Sequence, residues 1–338
     1  MVRPASRCFS ESTNVENRSQ TRERSKQNRS VHVSIPPLIS VFERGWLSSN
    51  NVLLHGRDGE AATLIDSSHC LHGEQTVALV RQALRENATL GRVVNTHLHS
   101  DHCGGNAALQ RAFGARIVIP PGQADSIARW DEDALSYRAT GQRIERFAPD
   151  ALLQPGESVT VGARTWQALA APGHDPHSLI LFDAQDGVLI SADALWENGF
   201  GVVFPELDGE HAFDEVAAVL DAIERLAPRL VIPGHGAPFV DVHGALQRAR
   251  SRLSAFVADP PRHARHGAKV LLKYHLLEEQ QQDLPDLLAW WTAVPLIQRL
   301  WQRLQRPAGS MAAWCEQLVH ELAAAGALRI DGVRVTNQ

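Results

Sequence analysis

A chain of 338 residues with 44% hydrophobic and 21% charged residues is ordinary globular material, long enough for one large core or two unequal domains. No run approaches the roughly 18 consecutive apolar residues of a membrane span, so no membrane partner is expected. The net charge of −5 is unevenly laid out: residues 1–30 hold seven basic and three acidic residues and residues 245–338 twelve and eight, leaving 14 basic against 27 acidic between them, which argues against a polyanion-binding catalytic face.

Residues 1–30 lack the apolar centre of a secretory signal and read as a disordered polar tail. Cys8, Cys70, Cys103 and Cys315 are scattered without CxxC spacing, as expected of a protein kept in the reducing cytoplasm. From Val33 the texture changes. NVLLHGRDGEAATLID reads as two strands around Asp58-Gly59, residues 72–87 as a helix, and GRVVNTH as a strand that delivers His97 at its end. Gly104-Gly105, with Asn106 as N-cap, opens a helix to about Phe113, and ARIVIP follows as a strand.

Residues 123–149 read as a polar, helical excursion. ESVTVGARTWQALAAPGH and SLILFDAQDGVLISAD are then two hairpins turning at Gly, FDEVAAVLDAIERLAP an amphipathic helix, and RLVIPGHG a strand that stops at His235. Beyond about residue 245 the pattern is helical: GAKVLLKYHLLEEQQ, LPDLLAWWTAVPLIQRLWQRL and MAAWCEQLVHELAAAG, the last closed by Gly326 and followed by a hairpin about Asp331-Gly332. Helices ending in a β-wing resemble a winged-helix module. The expected domains are the tail over 1–30, an α/β catalytic domain over 31–244 and the helical module over 245–338.

Divalent ions such as zinc favour neutral imidazole and carboxylate ligands, and a pair of ions needs six or seven of them. NTHLHSDHCGG supplies His97, His99, Asp101 and His102. His174, Asp193 and His235 each follow an apolar run near a turn, which would converge them on one rim. His69 and His72 face no second cluster and read as structural.

Through His97-x-His99-x-Asp101-His102, His174, Asp193 and His235, the stretch from about 35 to 240 resembles the metallo-β-lactamase superfamily of hydrolases. The resemblance implies a four-layer αββα sandwich. It further implies two divalent metal ions, zinc or alternatively iron or manganese: one at His97, His99 and His174, the other at Asp101, His102 and His235, with Asp193 bridging. Asp66 would orient the metal-binding loop. Glyoxalase II relatives carry a second histidine four residues after the position of His174, whereas this chain has His177 three after, making His177 an orienting or substrate-facing candidate. The cysteine ligand of the zinc β-lactamases is replaced by Asp193, which argues against antibiotic hydrolysis.

The expected chemistry is hydrolysis of an ester or thioester, with hydroxyacyl thioesters leading. A metal-bound hydroxide would attack, Asp101 and Asp193 would handle its proton, and Trp196, Phe200 and Phe204 would line the substrate pocket. Two alternatives stand beside it. One is a nuclease using Arg262, Arg265, Lys269 and Lys273 as a phosphate-facing stripe; the other is a metal-retaining partner-binding protein. The apolar LLAWWTAVPLIQRLW either docks the helical module or forms a homodimer face.

Overall fold

The computed structural model describes residues 33–57, 59–307 and 309–338; the polar tail expected over 1–30, and Asp58 of the first hairpin, lie outside the described residues. Six strands form the first sheet: β1 (Ile39–Phe42), β2 (Asn51–Leu54), β3 (Ala62–Ile65), β4 (Leu90–Val94), β5 (Arg116–Ile119) and β6 (Ala151–Leu152), adjacent in chain order. β1 to β3 pair antiparallel and β3 to β6 parallel. The second sheet has the order β11-β10-β9-β8-β7, from β7 (Ser158–Val161), β8 (Arg164–Ala170), β9 (Leu179–Asp183), β10 (Val188–Ala192) and β11 (Leu230–Pro233). Its two hairpins turn at Gly162 and Gly187, both at positive φ (61° and 64°).

Period-two alternation decides what each face buries. Val52, Leu54 and Val94 of the first sheet meet Trp166, Leu181, Ile190 and Ile232 of the second in an inter-sheet core. Their neighbours Leu53, Leu64 and Val93 point the other way, onto Val77 and Val80 of helix Gly73–Ala83 and Leu109 of helix Asn106–Phe113. Phe182, Leu189 and Val231 likewise meet helices Phe213–Leu226 and Val242–Ala258. Five strands, β2, β3, β9, β10 and β11, are covered on both faces and buried throughout, whereas β7 and β8 at the second sheet's edge alternate buried and exposed residues. The result is helix–sheet–sheet–helix, an αββα sandwich.

The continuous helix Val242–Ala258 crosses residue 245 and buries Ala245, Leu246, Ala249 and Leu253 with the sandwich. A separate core begins with helix Pro260–Glu279 and gathers Leu272, Leu276, Trp291, Ile297, Trp314 and Leu318. The chain order here is helix, β12 (Gln281–Asp283), three helices, then β13 (Leu328–Asp331) and β14 (Arg334–Asn337), with a small sheet ordered β12-β14-β13. The apolar LLAWWTAVPLIQRLW stretch is consumed inside this core, where Trp291, Leu296, Ile297 and Leu300 are buried.

Three local expectations need correction. The helix expected over LPDLLAWWTAVPLIQRLWQRL is two, Leu284–Ala293 and Pro295–Arg303, because Pro295 lacks an N–H and forces Val294 to an extended ψ of 119°. Residues 123–149 hold only the short helices Ala124–Arg129 and Tyr137–Thr140. Asn106 is the first helical residue after the cap Gly105, its side chain being needed at Asn95 instead. No helix among the described residues is long and apolar enough to cross a membrane.

His263 is buried between Phe213 and Phe256 and accepts the Val203 N–H at 3.3 Å. Burial, reinforced by His266 and Arg303, pulls its pKa down to about 4; burial and Arg252, Lys269 and Arg262 do the same to His266. Unfolded imidazoles titrate near 6.5, so on acidification the unfolded chain takes up protons first. The fold keeps its full stability from these groups above about pH 6.5 and loses it as pH falls toward 4, by about 1–3 kcal/mol. Denaturant unfolding across that window should show the loss, and His263→Gln should flatten the slope; parallel curves for wild type and variant would refute the assignment.

Candidate metal centre

The loop after β4 carries four of the expected ligands, and Asp66 holds it. Asp66 leaves β3 at φ +57°, a left-handed conformation that Asp tolerates better than most residues. Its Oδ1 accepts the Thr96 N–H, while Oδ2 accepts the Thr96 hydroxyl and faces His102 Nδ1, all at 2.8 Å. Tyr137 donates its hydroxyl to the Leu98 carbonyl at 2.7 Å, fixing the backbone between His97 and His99. Asn95 donates to the His102 carbonyl at 3.0 Å. Helix Ser100–Cys103 then turns Asp101 and His102 back toward the second sheet.

Two donor groups result, each with ligand atoms within 4.8 Å of one another: His97, His99 and His174, and Asp101, His102, Asp193 and His235. All seven side chains are buried. In the first group His99 Nδ1 stands 3.1 Å from His97 Nε2 and 2.8 Å from His174 Nε2. Ligands about 2.0–2.1 Å from one tetrahedral ion stand about 3.3 Å apart, so this cage is within a few tenths of an ångström of closing on a metal. Asp193 spans the groups, with Oδ2 3.3 Å from His174 Nε2 and Oδ1 3.5 Å from His102 Nε2. Asp101 Oδ2 accepts from His235 Nε2 at 3.0 Å.

Electrostatics favours positive charge here. Burial and the surrounding imidazoles drive His97 well below its ordinary pKa and His99 to about 4, leaving both as neutral donors. Burial alone would raise the two carboxyls, but His102 and His235 outweigh it, holding Asp101 at about 2 and Asp193 well below the usual range. His102 moves oppositely: burial is overcome by Asp193, Asp66 and Asp101, so a proton is favoured where a cation would serve equally. Its Nε2, aimed at both carboxylates, is fully buried with no hydrogen-bond partner among the described residues. His174 donates Nδ1–H to the Val202 carbonyl at 2.5 Å, presenting Nε2 to the group. An unsatisfied donor atom, correctly fixed tautomers and a mixed imidazole–carboxylate set fit two divalent ions.

Several contributors escape sequence reasoning. Ala192 sits at φ +45° to aim Asp193, a strained conformation for alanine. Gly234 is required because a Cβ there would collide with the Asp193 carboxylate and crowd His102; at Gly201 one would collide with His174. Buried Asn50 donates to the Pro233 and Gly236 carbonyls at 3.0 and 2.7 Å, holding both sides of His235. The helical module reaches in as well: Tyr274, kept neutral by burial, pairs its hydroxyl with Ser100 Oγ at 2.8 Å, between His99 and Asp101.

Over the ligands lies a cavity of about 650 Å³ with mostly apolar walls. Trp196, Phe200 and Phe204 line it. Trp196 donates Nε1–H to Asp193 Oδ1 at 3.2 Å, and Phe204 sets its edge on His99. Phe200 is mainly a core residue, 3% exposed and packed on Phe256. Trp46, 59% exposed, stacks on His235. His177 is not brought to the site: its ring packs on Gly122, and only its backbone N–H approaches, donating to Asp175 Oδ1 at 2.8 Å. Asp175 Oδ2, 3.9 Å from His99 Nε2, is the group that faces a ligand there. His69 lies 3.2 Å from Glu278, and His72 Nδ1 2.7 Å from Ser48 Oγ, so neither joins the centre. Three of the four basic residues of the expected stripe are engaged: Arg265 and Lys269 pair with Glu321 at 2.6 and 2.7 Å, and Lys273 donates to the Ala327 and Gln338 carbonyls.

Sandwich and double donor set together define a metal-centred αββα class. Residues 44–235 match the metallo-beta-lactamase superfamily, and the chain belongs to that family. It is 28% identical to a hydroxyacylglutathione hydrolase of Bartonella quintana over 153 residues, 45% of this chain and 51% of that one. An acyl-coenzyme A thioesterase of Bos taurus is 25% identical over 174 residues, covering 46% of this chain and 60% of that one. The chain thus spans little more than half the length of these curated relatives. A metallo-beta-lactamase family protein from Thermus thermophilus superposes with a TM-score of 0.52 at 19% identity, over 90% of this chain and 100% of its own, so the fold likeness extends into the helical module.

Because Asp66 fixes both the loop and the His102 tautomer, Asp66→Ala should lower metal affinity about 10–100-fold with the sandwich intact. Metal retention after dialysis against a weak chelator checks this, with circular dichroism as fold control; undiminished retention would remove Asp66 from the role.

Proposed function

We propose that the chain is a metal-dependent hydrolase of thioesters, carrying two divalent ions at His97/His99/His174 and Asp101/His102/His235 with Asp193 between them. The observation that carries this reading is the pair of buried donor groups sharing Asp193 at the floor of one apolar cavity. Zinc suits the imidazole–carboxylate set, with iron and manganese as competitors. When bound, such ions supply Lewis acidity and a water of lowered pKa.

The chain's own residues do the rest. Asp193 and Asp101, held ionised, accept hydrogen bonds from the attacking water, orient it and pass its proton on toward the leaving sulfur. The Trp196 N–H keeps the Asp193 carboxylate in place while the apolar cavity wall excludes competing water. Attack on the carbonyl carbon breaks the C–S bond and releases a carboxylic acid and a thiol. The two curated relatives named above are both thioester hydrolases by name, which supports the choice of bond. The helical, winged-helix-like module over 245–338 acts as the cap: His266, Val270, Tyr274, Leu277 and Leu322 complete the cavity.

Elemental analysis should find about two metal ions per chain, and a panel of thioesters, a lactone, an aryl phosphodiester and a short RNA should show turnover confined to thioesters. Asp193→Ala should lose at least one ion and kcat by about a hundredfold or more. Full activity and metal content in that variant, or preferential cleavage of the phosphodiester, would sink the proposal.

A further inference from the structure

Beside the cavity over the donor groups lies a groove of about 690 Å³ running over helices Val242–Ala258 and Pro260–Glu279; Asn198, Arg252 and His266 line both. The groove holds three arginines. Arg248 is already engaged, donating to the Glu197 carbonyl at 2.7 Å and to Asp241 at 3.3 Å. Arg252 and Arg262 have no carboxylate partner and no side-chain hydrogen bond among the described residues. Arg252 is half-buried, and burial weakens its hold on its proton. Gly199 makes room for it, since a Cβ there would collide with the guanidinium. An unpaired, partly desolvated guanidinium is costly, and an arriving anion relieves that cost.

We propose that Arg252 and Arg262 form a receptor for a phosphoryl group, so that the substrate is a thioester whose thiol carrier bears a phosphorylated, nucleotide-like arm. This rests on the hydrolase reading above. A lone carboxylate would need one arginine; two from successive helices, over an open groove floored by Ala255 and Phe256, suit a phosphate with an attached base or sugar. The apolar cavity then takes the acyl chain, and Arg252 at the junction sets which end enters. His266 lines the same groove, and burial together with the nearby arginines lowers its pKa, so it adds one uncharged donor.

Calorimetric titration of the full chain with ADP, against adenosine as control, tests the receptor without turnover. ADP should bind and adenosine should not; Arg252→Ala should weaken ADP at least tenfold and the exposed Arg262→Ala severalfold, with unfolding curves confirming both folds. In parallel, Arg252→Ala should lower the ratio of kcat/KM for a coenzyme A thioester over its pantetheine counterpart by at least tenfold. No ADP binding, or binding indifferent to both variants, overturns the proposal. So does a short single-stranded RNA that outcompetes ADP with steep salt dependence, which would assign the groove to nucleic acid. If ADP binding follows the two arginines while neither thioester is hydrolysed, the receptor stands and the hydrolase reading falls.

Discussion

Everything around the two donor groups answers to one electrostatic constraint: five imidazoles and two carboxylates share a buried pit, where unpaired charge is expensive. Asp101 and Asp193 stay ionised only because positive charge is near, and in the protein alone it comes from His102 and its neighbours. A divalent ion in each donor group would satisfy the same demand, accepting the imidazole lone pairs that a proton would otherwise occupy. Asp66 sits one layer out and keeps His102 in the tautomer that leaves Nε2 facing inward. The fold is therefore organised around charges that tolerate burial only in company.

That constraint explains where regularity is given up. Three strands buried along most of their length stop just before candidate ligands: β4 before His97, β10 before Asp193 and β11 before His235. Left-handed residues gather at the same edge, at Asp66, Ser68 and Ala192. Such positions cost on the order of 1 kcal/mol or more each, and a rigid two-sheet core is what holds them. Loops hung from strand ends can converge seven side chains from four separate stretches; a helix or strand carrying all seven could not.

The candidate ligands were legible because their chemistry is confined to few residue types and their neighbours are strongly patterned. His97, His99, Asp101 and His102 lie in one hexapeptide, and each remaining ligand closes an apolar run. What surrounds them was not legible, for physical reasons. Gly234 and Gly201 matter through the space they leave, which depends on side chains many residues away in sequence. Asn50 and Tyr274 act across 183 and 174 residues, distances at which spacing carries no information. His177 was misplaced because the turn after His174 makes its polar contacts through Asp175, leaving the imidazole to pack on Gly122.

The helical module is bound to the same constraint rather than appended to it. Tyr274 meets Ser100 inside the ligand loop, and four residues on along the same helix Glu278 lies 3.2 Å from His69, in the stretch that follows Asp66. The Tyr274 contact is partly buried and the Glu278 side chain almost fully so, and withdrawing helix Pro260–Glu279 would break both while exposing Leu272 and Leu276. The cap and the ligand loop consequently settle together. The sandwich then sets the two donor groups, and the side chains of helix Pro260–Glu279, facing the cavity from His266 to Leu277, shape the space above them.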